Sequence, residues 1–190
     1  MRKAEAQRTT RETQIEVLLD LDGGCVDIHT GIGFFDHMLT ALGTHAGIGL
    51  SVNVKGDLHV DGHHTAEDTG IVLGQALATA LGDKSGITRY GFFLLPMDES
   101  LATAALDISG RPFLVYTADF ASERIGEWES CLTEEFFRAL VVHSGITSHL
   151  MTSAGGNDHH KTEALFKAFA HALAAAIAPR AGLLSTKGTL

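Results

Sequence analysis

The sequence predicts an α+β domain written as two tandem pseudo-repeated halves, about residues 1–92 and 93–190 of a single domain spanning 1–190. Two internal alignments and one periodicity argument lead there. Residues 63–81, HHTAEDTGIVLGQALATAL, lie over 159–177, HHKTEALFKAFAHALAAAI, and seven of nineteen positions agree: His63, His64, Glu67, Ala76, Leu77, Ala78 and Ala80. Upstream, DHMLTALGTHAGI at 36–48 lies over EEFFRALVVHSGI at 134–146, where Ala41, Leu42, His45, Gly47 and Ile48 recur. A repeat of this length marks one supersecondary unit used twice. The hydrophobic period also switches between two and 3.6 residues in the same succession along both halves.

TQIEVLLDLDGG alternates Ile15, Val17, Leu19 and Leu21 with polar residues before a Gly-Gly turn, so it reads as a strand with CVDIHTG as its hairpin partner. FFDHMLTALGTHAG reads as a helix, with Asp36 near its start and Gly47 at its end. LSVNVKGDLHV carries Val52, Val54, Leu58 and Val60 and reads as one strand; TAEDTGIVLGQALATALGD is a second helix, stopped by Gly82. In the other half ESLATAALDISG and RPFLVYTAD are strands, SCLTEEFFRALVVHSG a helix, SHLMTSAG a strand and TEALFKAFAHALAAAIA a helix. Each half is therefore β-β-α-β-α, and helices on one face of each sheet would pack together into a layered fold.

Composition narrows the function classes. A formal charge of −9 is the wrong sign for a nucleic-acid partner, which selects a basic face. The N-terminal MRKAEAQRTTRETQIEV holds no apolar signal segment, and AFAHALAAAIA at 168–178 is too short to span a bilayer. Cys25 and Cys131 have no framework spacing. The expectation is a soluble cytoplasmic protein with neither nucleic-acid nor membrane partners. The 11 histidines are the oddity, because they cluster among carboxylates, a pattern that points first to metal.

Within each HHxxE motif the second carboxylate-bearing turn returns to the histidines. Glu67 is four residues from His63 and three from His64, so it can share an ion with either. Adjacent His63 and His64 diverge by about 100° on a helix and address neighbouring ions rather than one. The upstream repeat sets Glu135 over His37. Together His37, His63, His64, Glu67, Glu135, His159, His160 and Glu163 make five imidazoles and three carboxylates, a set suited to Mn, Fe or Zn rather than Ca or Mg. His45 is divided between a direct role and a helix-end role. Arg89, Arg111, Lys167 and Lys187 are scattered cations, and STKG offers hydroxyls, a cation and a Gly for a phosphate. The residues alone reach a dinuclear metal enzyme acting on a small anionic substrate; a dinuclear phosphohydrolase and a metal-storage protein stay open.

TGIGFFDHML, DGHHTAEDTG, GITRYG, PMDESL, LDISGRP, EEFFRAL and NDHHKTEALFKAFAHAL occur in that order, and the chain thereby resembles the imidazoleglycerol-phosphate dehydratase family of histidine biosynthesis. The resemblance implies a monofunctional lyase converting D-erythro-imidazole glycerol phosphate to imidazole acetol phosphate. It implies two Mn(2+) per active site, bound by the eight residues above. It also implies a helical bundle between two mostly antiparallel sheets, of the ribosomal protein S5 domain 2-like kind. A homo-oligomer follows from it too, a 24-mer with active sites at subunit interfaces. Arg89, Arg111, Lys167, Ser185 and Lys187 match phosphate-binding positions, and Glu12 and His45 match substrate-side positions. In the implied mechanism an imidazolate held by two Mn ions expels the C3 hydroxyl, and a carboxylate then takes the C2 proton. Glu163 is favoured for that shuttle, with Glu12 and Glu67 as rivals. Many members of the family have His where this chain has Glu135.

Overall fold

The computed structural model describes residues 2–188. The first half runs β1 (Lys3–Thr9), β2 (Thr13–Asp20), β3 (Val26–His29), α1 (Gly33–Ala46), β4 (Gly49–Gly56) and α2 (His63–Leu81). The second runs β5 (Tyr90–Met97), β6 (Ser100–Asp107), β7 (Phe113–Thr117), the short ribbon β8 (Arg124–Ile125) and β9 (Trp128–Glu129), α3 (Leu132–Ser144), β10 (Thr147–Ala154) and α4 (Asp158–Ile177). The two large sheets are ordered β1-β2-β4-β3 and β5-β6-β10-β7. In both, the first two pairings are antiparallel and the last is parallel.

Three expectations change. CVDIHTG is not the hairpin partner of β2: β3 runs parallel to β4, with Ile28 opposite Val52. Gly24, at φ +152, passes within 3.1 Å of the Gly49 Cα measured from where a Cβ would stand, so the Gly-Gly turn carries the chain across the start of β4. Each half also opens with a strand that periodicity did not yield, β1 and β5. In β1 the inward positions are Ala4, Ala6 and Arg8, too little apolar signal to stand out, while YGFFLLPM in β5 is apolar on both faces and does not alternate. Finally, β4 stops at Gly56, and Val60 N donates to Asp57 O in a turn where the strand was expected to continue.

All four helices lie between the sheets. α2 packs on β1 and β2 and against α3; α4 packs on β5 and β6 and against α1. The α2–α3 crossing is close because Gly70 and Gly74 present bare backbone: a Cβ there would stand 2.6 Å from Phe136 O and 2.7 Å from Leu140 O. Phe136, Phe137, Phe166 and Phe169 fill the layer between the sheets, all fully buried and in ring contact. Each contributes about 1.5–3 kcal/mol by burial. Among the described residues no helix is long and apolar enough to cross a membrane.

Candidate metal centre

The twin motifs open α2 and α4. Asn157 Oδ1 accepts hydrogen bonds from the His159 and His160 backbone N–H groups at 2.9 and 3.4 Å. Asp61 Oδ1 accepts one from His63 N at 2.8 Å. These short polar side chains start each helix at its histidine pair, as side-chain acceptors do for orphan amides. The pairs have nearly the same geometry, with ring centroids 6.1 Å apart in both and planes crossing at 83° and 86°.

The first histidine of each pair turns toward the glutamate one turn on: His63 Nε2 lies 3.6 Å from Glu67, and His159 Nε2 3.1 Å from Glu163. The second points elsewhere and is gripped from outside the helix. His64 Nδ1 lies 3.0 Å from Asp57 and His160 Nδ1 2.9 Å from Glu99. Their Nε2 atoms face Glu12 and Asp98, each at 3.8 Å. Those hydrogen bonds raise both imidazole pKa values above the ordinary range. Glu99 is in turn held down to about 2, by His160 first and then by the Asn157 N–H.

The fourth helix's motif is completed within the chain. α1 brings His37 Nε2 to 3.4 Å from Glu163, and His37, His159 and Glu163 place ligand atoms within 4.8 Å of one another. Burial of Glu163 opposes its ionisation, but Lys167 Nζ at 2.6 Å, together with His37 and His159, outweighs burial and keeps its carboxyl below the usual range. The other motif differs. The residue matching Lys167 is Ile71, Glu67 is half exposed, and Glu135 pairs with Arg138 on its own helix at 3.8 Å. Among the described residues no converging group of three includes Glu135, His63, His64 or Glu67. The second such group is Asp98, Glu99 and His160.

The expected phosphate ligands divide. Lys167 stands beside Glu163. Arg89 is buried at the far end of α4, its N–H on Ala176 O at 2.8 Å. Its guanidinium donates to Asp107 at 2.7 and 3.2 Å and to Leu184 O at 2.7 Å. Asp107 raises its pKa further, and the residue adopts a left-handed φ of 75°. Exposed Arg111 reaches the same Asp107 at 3.4 Å. Leu184 leads into Ser185, whose Oγ accepts from the exposed Lys187 N at 3.2 Å. At 1.5 Å per residue this cationic end lies roughly 25 Å along α4 from the histidines.

His45 sits between the two ends, its Nδ1 3.2 Å from His171 Nε2, with Phe93 stacked on His171 at 4.3 Å. Burial, then Lys167 and His171, lowers the His45 pKa, favouring the neutral imidazole. Glu12 occupies the β1–β2 turn and is half exposed. Asp57, Asp98 and Glu99 are site residues that the motif reading did not single out. Asp57 precedes its histidine by seven residues and Glu99 by 61, so no repeat spacing reveals them.

The sequence profile of imidazoleglycerol-phosphate dehydratase matches residues 30–173. The Acidiphilium cryptum (strain JF-5) imidazoleglycerol-phosphate dehydratase is 57% identical over 194 aligned positions, covering 100% of this chain and 99% of that protein. The Paracoccus denitrificans (strain Pd 1222) enzyme of that name is 56% identical over all of both chains. The crystal structure of the Staphylococcus aureus subsp. aureus N315 enzyme superposes with a TM-score of 0.86 at 42% identity, over 94% of this chain and 99% of that one. The Pyrococcus furiosus structure, solved in complex with (S)-C348, gives 0.86 at 35% identity over 97% and 99%.

Proposed function

This chain belongs to the imidazoleglycerol-phosphate dehydratase family, and from that premise we propose that it dehydrates D-erythro-imidazole glycerol phosphate at a two-Mn site shared between copies of itself. The observation that carries this reading is the matched pair of motifs, each presenting one histidine with its glutamate and a second histidine with Nε2 turned away from its helix. A donor set of imidazoles and carboxylates fits a borderline divalent ion such as Mn. His37, His159 and Glu163 would hold one ion, with His160 turned to a neighbouring one. His63, Glu67 and Glu135 would hold the matching ion, with His64 likewise turned to a neighbouring one, although Glu135 now faces Arg138. Bound ions would supply Lewis-acid polarisation of the substrate's imidazole ring.

The chain's own groups divide the remaining work. Arg89 and Arg111, with Ser185 and Lys187, form a cationic seat for phosphate. That seat lies roughly 25 Å along α4 from His159 at 1.5 Å per residue, beyond the length of a phosphorylated three-carbon chain bearing one imidazole. A site that uses both ends must therefore take them from different copies. The exposed motif on α2 supports this, being the half that lacks its third ligand among the described residues. The outer face of the second sheet supports it too: Tyr90, Phe92, Leu94 and Phe113 are exposed there, with Phe92 at 78%. The first sheet's outer face is more polar, carrying Glu5, Gln7, Glu16 and Lys55 around an exposed Leu18. Exposed aromatic surface of this kind is normally covered by a partner, here a second copy in a closed homo-oligomer.

Removal of water needs a carboxylate to take the C2 proton and assist the C3 hydroxyl's departure. Glu163, favoured from sequence, already receives Lys167, His159 and His37, which suits an anchored ligand. Glu12 has one contact at 3.8 Å and is half exposed, so we assign the shuttle to Glu12, with Glu67 as the next candidate. His45, whose neutral imidazole is favoured by burial and then by Lys167, would orient a substrate hydroxyl. The test is to strip the protein with a chelator and follow imidazole acetol phosphate with and without added Mn. Mn-dependent formation of that product is expected. Release of inorganic phosphate instead would replace this reading with a two-metal phosphohydrolase.

A further inference from the structure

Building on that two-Mn reading, we propose that Asp57 and Glu99 are positioning residues: each fixes the tautomer and direction of the second histidine of one motif, leaving Nε2 as its metal-binding atom. An ionised carboxylate only accepts hydrogen bonds. The Asp57 contact at 3.0 Å and the Glu99 contact at 2.9 Å therefore place the hydrogen on Nδ1 of His64 and His160 and the lone pair on Nε2. Such a carboxylate behind a ligating imidazole sets both its orientation and its basicity.

Glu99 also lies in a group with Asp98 and His160 whose ligand atoms approach within 4.8 Å, which raises the question of whether it is itself a ligand. Its oxygens are already engaged. Oε2 takes His160 Nδ1, and Oε1 takes the N–H groups of Gly156 at 3.2 Å and Asn157 at 2.8 Å, the loop that caps α4. Asp57 is mostly buried and spends both oxygens on His64 Nδ1, at 3.2 and 3.0 Å. Both acids are braced supports.

The two supports come from different places in the fold. Asp57 follows β4, whereas Glu99 sits in the turn between β5 and β6, so the two sheets of like topology deliver the carboxylate from unlike places. A feature inherited only from a common fold would occupy matching positions. Here the contact is matched and the position is not, which points to the histidine's chemistry as what is being satisfied.

The experiment titrates Mn(II) into chelator-stripped, full-length protein and reads free Mn by electron paramagnetic resonance, for wild type, Glu99→Ala, Glu99→Gln, Asp57→Ala and the double alanine variant. Loss of a carboxylate behind a metal-bound histidine weakens binding by about 10–100-fold. Glu99→Ala should weaken one of the two equivalents by that factor and leave the other within about twofold, and Asp57→Ala should do the same to the other equivalent. Glu99→Gln, which keeps the shape and one acceptor oxygen, should fall between, and it stands in if the alanine variant does not fold. Unchanged affinity in every variant, or both equivalents weakening together with a fall in thermal midpoint, overturns the assignment. Wild-type protein that takes up no Mn at all would sink the two-Mn reading itself, a result distinct from either.

Discussion

Two inactive variants of this chain should restore each other. His159→Ala removes a metal donor at one end of α4, and Arg111→Glu reverses an exposed cation at the other. Losing one charge-assisted hydrogen bond to phosphate costs about 1.5–3 kcal/mol, or roughly 10–100-fold in kcat/KM, and reversal costs more. The two ends are separated by roughly 25 Å at 1.5 Å per residue, so a functional site draws its metal donors and its phosphate seat from different copies. In a randomly mixed one-to-one oligomer, a site is intact when its donor half comes from the Arg111 variant and its phosphate half from the His159 variant. Each has probability one half, so about a quarter of the sites regain both halves. Co-expression of the differently tagged variants, tandem purification and a dehydration assay should therefore give about a quarter of wild-type activity per site. Mixed oligomers no more active than the sum of the two parents would refute the separation argument, because same-chain sites cannot be repaired by mixing.

Glu12→Gln should keep Mn affinity and KM while kcat falls by about 10²–10⁴; Glu163→Gln should lose Mn affinity as well, and isothermal titration beside steady-state kinetics separates the two. Gly74→Ala would ordinarily favour a helix by about 1 kcal/mol, but here the added Cβ stands 2.7 Å from Leu140 O and 2.8 Å from His143 Cβ. Backbone cannot yield as a side chain would, so urea denaturation should show destabilisation of about 1–3 kcal/mol. The Glu99 pKa is lowered from 4.5 to about 2, so its ionised form stabilises the fold above pH 4.5 and that contribution is lost as pH falls toward 2. Stability curves of wild type and Glu99→Gln should accordingly differ above that window and converge within it.

Much of this architecture was legible because helices advertise themselves by periodicity, and all four expected helices form. The topology of the first hairpin was not, since the choice between β2 and β4 as the neighbour of β3 rests on how Gly24 crosses Gly49, a long-range packing fact. The edge strands β1 and β5 were hidden for opposite reasons, one too weakly apolar and the other apolar throughout. At the site, helical spacing placed each glutamate within reach of its histidine pair, and the structure selects His63 for Glu67 and His159 for Glu163. The upstream repeat marked His37 as a ligand candidate, but its approach to Glu163 comes from the packing of α1 against α4. Sequence could not tell that the two motifs differ in burial, because that depends on what the fold packs over each helix start: α1 sets His37 against buried Glu163, whereas Glu67 stays half exposed. Nor could it find Asp57 and Glu99, which reach their histidines through the fold.

The most direct measurement is anomalous diffraction at the manganese edge from crystals of the full chain soaked in Mn(II). The account predicts two peaks per chain, each beside the Nε2 of a second motif histidine, with Arg89 and Arg111 near the pair contributed by a neighbouring copy. Peaks ringed by other side chains, or a metal pair lying beside Arg89 and Arg111 of the same copy, would contradict it.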